Sequence, residues 1–263
     1  MPDYENFIAG GWACFAFNPQ VAEWAGSAAS AARAAARDPA QAHWLRCGGT
    51  WFVGVDALPN DASGRVGDGP PLGGAVMDFI RNIPGFDLPL HKAQVSICYP
   101  GYPQPSDEES AAAFQFRVKR DAAHVDGLLA EGPERRRYLK EPHAYILGLP
   151  LVAADPGASP LVVWDGSHVT MRQAFARAYE DVPPEKWAQV DVTDIYQAAR
   201  REVFASCARI ELPAKPGEAM LLHRHVLHGV APWREDAKAD ADGRMIAYFR
   251  PEFRSIAHWL ERP

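Results

Sequence analysis

Apolar residues along this chain recur in two rhythms, and the places where one gives way to the other outline the fold. Alternation marks strands, and a spacing of three to four marks helices. Val21 to Arg37 is alanine-rich and follows Asn18-Pro19, which predicts an amphipathic helix capped by Asn18 with Pro19 in its first turn. Such a helix is expected to pack as a scaffold on the outside of the main fold. Thr50 to Leu58 is β-branched and aromatic enough for a strand, and Pro59 to Gly74 is a long Gly/Pro/Asp loop, either a lid or a disordered stretch. Ala75 to Ile83 reads as a short helix and Ala93 to Tyr99 as a strand stopped by Pro100-Gly101. The acidic, proline-containing segment Tyr102 to Ser110 is expected to be a solvated loop, and the alternating Phe114 to Lys119 a half-buried strand.

From residue 143 onward β character persists. His143 to Val152 and Leu161 to Trp164 predict strands joined by a Pro/Gly turn at Ala153 to Ala158. Between Ser167 and Cys207 the rhythm turns helical: Met171, Phe175 and Tyr179 are spaced by four, as are Ile195, Ala199 and Val203, with Pro183-Pro184 between the two helices. Ala208 to Leu212, Ala219 to His223 and Met245 to Phe249 complete the strands. Short antiparallel strands with helices outside predict a mainly β fold with flanking helices, a double-stranded β-helix or jelly roll of the cupin type. The expected organisation is one domain over 1–263. Residues 1–90 form a helical and loop scaffold, and 91–263 a jelly-roll core with a helical insert at 168–207.

Composition narrows the function. A net charge of −6 excludes a nucleic-acid backbone as the main partner, because that role needs a clustered positive field. Cys14, Cys47, Cys98 and Cys207 lie far apart, which predicts reduced thiols rather than a disulfide framework. The acidic start Met1 to Asn6 does not read as a secretory signal, and no apolar run approaches the about 20 residues that span a bilayer. A cytoplasmic protein with no membrane partner is expected.

The chemistry concentrates in two stretches. In His124-Val125-Asp126-Gly127 an imidazole and a carboxylate two residues apart would share one face of a strand. About a hundred residues later, Pro216 to Gly229 carries His223, His225 and His228. Two histidines and one carboxylate on one face of a metal leave the opposite face open, the arrangement that non-haem Fe(II) oxygenases use for co-substrate and oxygen.

Three motifs together resemble the phytanoyl-CoA dioxygenase family of Fe(II)/2-oxoglutarate oxygenases. They are His124-Val125-Asp126-Gly127, the segment Ser159 to His168 with its Gly166-Ser167-His168 ending, and the Gly217-Glu218 turn followed by an apolar strand and His228-Gly229. The match covers roughly residues 114 to 250. The resemblance implies that His124, Asp126 and His228 are both the metal ligands and the catalytic centre, with Fe(II), 2-oxoglutarate and O2 as cofactors. It implies hydroxylation of a small-molecule substrate with conversion of 2-oxoglutarate to succinate; desaturation and ring formation stay open. His223 and His225 are then core or supporting residues. An arginine follows the distal histidine in that family and grips the far carboxylate of the co-substrate, a role suited to the guanidinium fork. Arg244 occupies the position, after an acidic inserted loop at 234–242, with Arg250 on the same strand face as the alternative and Arg234 needing that loop to turn inward. Two readings outside the resemblance remain: a cupin-like metalloenzyme that does not use 2-oxoglutarate, and a catalytically silent binding protein.

Other residues carry weaker signals. Arg135-Arg136-Arg137 reads first as a solvated charge run and second as a contact for an anionic substrate. His168 either faces the pocket or only begins a helix capped by Ser167, and Trp51, Tyr99, Trp164 and Trp233 are pocket or core aromatics. Specificity is expected in the loops 59–74, 100–110, 127–142 and 231–243.

Overall fold

The computed structural model describes residues 2–106 and 109–263, so the acidic pair at 107 and 108 in the expected solvated loop lies outside the described residues. The strands are β1 (Trp12–Phe15), β2 (Leu45–Arg46), β3 (Trp51–Gly54), β4 (Gln94–Cys98), β5 (Leu128–Glu131), β6 (Arg136–Leu139), β7 (Tyr145–Pro150), β8 (Leu161–Trp164), β9 (Arg209–Leu212), β10 (Ala219–His223), β11 (His228–Val230) and β12 (Arg244–Phe249). The helices are α1 (Tyr4–Gly10), α2 (Pro19–Arg37), α3 (Ala75–Arg81), α4 (Ala111–Arg120), α5 (Ser167–Tyr179), α6 (Thr193–Ser206) and α7 (His258–Glu261).

Seven strands form a major sheet in the order β1-β10-β7-β12-β4-β3-β2, and β11-β8-β9 form a minor one; all pairings are antiparallel. Alternation along the strands explains the layering. In β12, Met245, Ala247 and Phe249 pack outward under α2, while Ile246 and Tyr248 join Ile146, Leu161 and Met220 between the sheets. On the far side, Val162 and Trp164 of β8 pack against Met171 and Phe175 of α5. Both faces of each sheet are thus covered, and β7, β10 and β12 are buried along their whole length. This is a jelly roll with flanking helices.

Helix α2 forms as its caps predict: the Asn18 carboxamide accepts hydrogen bonds from Gln20 and Val21, Pro19 opens the first turn, and Trp24, Ala25, Ala28 and Ala32 are fully buried. The N-terminal segment does more than scaffold. It contributes β1 and β2 as well as β3 to the major sheet, β1 pairing with β10 in the register Trp12↔Leu222. The loop 59–74 is neither lid nor disordered. Asn60 is buried and ties the backbone of Asp61, His91 and Ala93 together, and Gly64 accepts the Trp24 indole N–H at 2.6 Å.

Phe114 to Lys119 is a helix, not a strand. Ser110 caps α4 by accepting the Ala113 N–H, three alanines start it, and Arg117, Lys119 and Arg120 complement its C-terminal dipole. The alternation of apolar residues misleads because none of them is fully buried, so neither rhythm is enforced by a core. Among the described residues, no helix is long and apolar enough to cross a membrane.

Candidate metal centre

After α4 the chain turns sharply through Asp121 and Ala122, both with left-handed backbones (φ 55° and 52°), and brings His124 against β11. His124 is not in a regular strand. It makes a single bridge in which its N–H donates to the His228 carbonyl (2.8 Å) and the His228 N–H donates back (3.0 Å), with Asp126 in the turn beyond. The backbones of the two histidines are therefore fixed to each other. Asp121 anchors the loop twice: its carbonyl accepts the Val230 N–H at 2.9 Å, and its carboxylate pairs with both Nε and Nη2 of Arg209 at 2.7 and 2.8 Å. The approach is so close that a Cβ at Gly229 would stand 2.1 Å from the Asp121 carbonyl oxygen, which explains a glycine after His228. Tyr196 of α6 supports the other side by accepting the Val125 N–H at 3.3 Å.

His124, Asp126 and His228 converge: one ligating atom from each lies within 4.8 Å of the other two. Asp126 Oδ1 is 3.1 Å from His124 Nε2 and 3.7 Å from His228 Nε2. The two rings share one device. Nδ1 of His124 meets the Ala122 carbonyl and Nδ1 of His228 the Val226 carbonyl, each at 3.0 Å. A hydrogen bond donated there fixes the tautomer and leaves the Nε2 lone pairs free to bind a cation. Burial holds His228 neutral by pushing its pKa down to about 4, with His124 adding to the effect. Burial alone would raise the Asp126 carboxyl, but its close contact with His124 and the charge of Arg250 hold it well below the usual carboxylate range. At neutral pH His228 thus presents a lone pair and Asp126 a negative charge. The face of His124 is open, its side chain 45% exposed.

Behind the triad a cavity of about 230 Å³ runs between the sheets, lined by Trp51, Ser96, Ile146, Leu161 and Tyr248. Arg250 and Arg244 take different places on β12 and the residue after it. Arg250 lines this cavity with Nη1 3.5 Å from Asp126 Oδ2. Arg244 is 6% exposed and lies beside Cys98 and Tyr248, and among the described residues neither Nη1 nor Nη2 has a hydrogen-bond partner. The Tyr248 hydroxyl is also buried and without a partner. Arg244 does not itself line this cavity; it adjoins Tyr248, which does, and a buried guanidinium with unused donors is a group that an anion would satisfy. Sequence reasoning missed Tyr248; its position four residues after Arg244 on the same strand face was the available signal.

The remaining candidates fall elsewhere. His223 and His225 are fully buried against His168, Phe175 and Trp259, on the opposite side of β10 from the triad, and burial followed by the charge of Arg224 drives both imidazoles well below their usual range. His168 belongs to that cluster, its Nε2 2.8 Å from the Ile8 carbonyl. Gly166, not Ser167, is the N-cap of α5; the Ser167 hydroxyl instead accepts the Leu227 N–H at 2.9 Å and so steadies the residue before His228. Arg234 makes a surface ion pair with Glu211 at 2.7 Å, and Asp242 of the inserted loop pairs with Arg33 and Arg37 of α2. Of the aromatics, Trp51 lines the cavity, Trp164 packs in the helical core, and Trp233 and Tyr99 pack on other clusters. Loops 59–74 and 231–243 contribute nothing to the walls of this cavity, whereas Glu109, Gly127, Leu128, Leu129, Arg137 and Glu141 line a second cavity that also reaches His124 and Asp126.

No family model matches this sequence, and no curated protein matches it. Solved structures do resemble it. The non-haem α-ketoglutarate-dependent carbocyclase SnoK from nogalamycin biosynthesis is 11% identical over 95% of this chain and 84% of its own, with a TM-score of 0.46. EctD from S. alaskensis, solved with 2-oxoglutarate and 5-hydroxyectoine, is 16% identical over 93% and 73%, with a TM-score of 0.44. AviO1 from Streptomyces viridochromogenes Tue57 is 13% identical over 95% and 94%, with a TM-score of 0.41.

Proposed function

We propose that this chain is a non-haem Fe(II)/2-oxoglutarate-dependent oxygenase of the phytanoyl-CoA dioxygenase type, hydroxylating a small molecule. The observation that carries the reading is the pairing of two unusual features in one barrel. A two-histidine, one-carboxylate triad lines the inner cavity, and Tyr248 of the cavity wall adjoins Arg244, a buried guanidinium whose Nη atoms have no partner among the described residues. A metal site alone would suit many cupin-like enzymes, but it gives no reason to bury an unpaired cation beyond it. A dicarboxylate that chelates the metal at one end and meets Arg244 at the other supplies that reason.

The donor set fits Fe(II): nitrogen and carboxylate ligands on one face, with the opposite face open. His124, Asp126 and His228 would hold the ion, and Arg244 with Tyr248 would hold the far carboxylate of 2-oxoglutarate. The chemistry such a centre supplies when loaded is oxidation of a substrate C–H bond to an alcohol, with O2 consumed and 2-oxoglutarate converted to succinate and CO2. The protein's own contribution is positional. Backbone carbonyls fix both imidazole tautomers, the Asp121–Arg209 pair and the Tyr196 hydroxyl hold the His124 loop, and Trp51 lines the cavities on both sides of the triad. Metal-free protein given Fe(II) anaerobically should take up one ion per chain, and aerobic addition of 2-oxoglutarate should then yield succinate. Stoichiometric iron with no succinate, or succinate formation that Arg244→Met leaves unchanged at low 2-oxoglutarate, would favour the cupin-like enzyme or the silent binder.

A further inference from the structure

In front of the triad lies a second, larger cavity of about 450 Å³, with His124 and Asp126 on its floor and α4 and α6 as walls. That size suits a small organic molecule. Its charge is unusual. Arg117 on the wall is neutralised by Glu109 at 2.8 Å, Arg250 faces Asp126, and the Glu141 carboxylate, also on the wall, meets His143 at 3.1 Å. Arg137 and Arg200 have no carboxylate partner among the described residues, although both are only half-exposed and both line the cavity.

Each is held in place by neutral groups that leave most of its fork unused. The Arg137 backbone is clamped to the start of α6, its N–H donating to the Thr193 hydroxyl (2.7 Å) and its carbonyl accepting from Val192 (2.9 Å), while Nη1 donates to the Leu128 carbonyl at 3.0 Å. The Arg200 guanidinium rests on the Phe116 ring at 4.5 Å and over Tyr196 at 5.2 Å, with Nη1 3.4 Å from the Ala123 carbonyl. The alternation of β6 explains why only one arginine of the 135–137 run faces inward. Arg136 points out to Glu134, Asp191 and Asp194, Arg137 turns in, and Arg135 stays in an exposed turn. Burial weakens the Arg137 proton, with Tyr196 opposing the effect and the charges of Arg135 and Arg200 adding to it. Two guanidinium groups, Arg200 set on an aromatic shelf and Arg137 tethered to the Leu128 carbonyl, keep unused donors of the kind that pair with an oxyanion.

We propose that Arg137 and Arg200 bind an anionic group of the substrate, a carboxylate or phosphate, with its apolar body lying along Phe116 and Trp51 toward His124 and Asp126. Naming the bound molecule a substrate rests on the oxygenase reading; the anion site itself does not. The test is calorimetric titration of metal-free, full-length protein with 4-phenylbutyrate, phenyl phosphate and the neutral 4-phenylbutanamide. The anions should bind at least tenfold more tightly than the amide and weaken with added salt. In the Arg137→Gln/Arg200→Gln double variant that preference should disappear, and Arg137→Lys, which keeps the charge but not the fork, should fall between. Arg244→Met should leave phenylbutyrate affinity unchanged, separating this site from the co-substrate anchor. The better of the two anions identifies the headgroup. Equal binding of amide and anions, anion binding that survives in a folded double variant, or no anion binding at millimolar concentration overturns the proposal. Anion binding by a protein that then makes no succinate would sink the oxygenase reading while leaving this site standing.

Discussion

Replacing Arg244 by methionine separates two explanations of a buried arginine. If Arg244 holds structure together, its loss destabilises the protein; if it waits for a carboxylate, its loss relieves the empty protein and disables binding. Both Nη atoms lack partners among the described residues, and an unsatisfied buried donor costs roughly 1–3 kcal/mol. Methionine fills similar volume without that cost, so the variant should gain about 1–3 kcal/mol, consistent with buried ion replacements that stabilise by about 1–4 kcal/mol. For a chain of this size that is a rise in Tm of about 2–4 °C per kcal/mol. Two charge-assisted hydrogen bonds to a carboxylate contribute about 3–5 kcal/mol together, so 2-oxoglutarate affinity should fall by about two to three and a half orders of magnitude. Differential scanning calorimetry of the metal-free variant and anaerobic titration of its Fe(II) form measure the two effects. A variant that melts lower and binds 2-oxoglutarate within threefold of wild type would refute the reasoning.

Three further outcomes follow from the same geometry. Gly229→Ala should lose about 1–3 kcal/mol and most of its metal affinity, because its Cβ would press on the Asp121 carbonyl at 2.1 Å; calorimetry and metal titration check both. Arg209→Ala leaves the buried Asp121 carboxylate unpaired and should cost about 3 kcal/mol, a shift visible in urea denaturation. His225 should behave oppositely: neither ring nitrogen has a partner, so His225→Leu should stabilise at neutral pH. Its folded pKa is below that of the unfolded chain, so below about pH 6.5 the unfolded state binds more protons and stability falls as pH falls, by up to about 1.4 kcal/mol per pH unit for one such group. His225→Leu should flatten the urea midpoint between pH 6.5 and 5; an unchanged slope would count against that assignment.

Strands whose side chains are pressed from both sides were the most legible. Leu161–Trp164 and Ala219–His223 match their expected bounds because an unbroken apolar run between Pro/Gly turns has few other solutions. The helix spacing of Met171, Phe175 and Tyr179 was equally plain, since all three meet one core. Phe114 to Lys119 failed where burial was weakest. The triad was legible as residue types, but its means of assembly was not: a single β-bridge between His124 and His228, held by the left-handed turn at Asp121, joins residues a hundred positions apart and leaves no local trace. The same holds for Arg137, whose inward turn depends on the register of β5 with β6, and for His168 and His225, whose burial depends on how α5 and α7 close over β10.

The central claim is that one barrel holds a metal at its mouth and a keto-dicarboxylate behind it. Anaerobic addition of Fe(II) and then 2-oxoglutarate to metal-free protein measures both at once, through the visible charge-transfer absorption of a keto acid chelated to Fe(II). The account predicts a band in wild type, its loss in Asp126→Ala and His228→Ala, and its recovery in Arg244→Met only at far higher 2-oxoglutarate. No band in folded, iron-loaded wild type at saturating 2-oxoglutarate would contradict it.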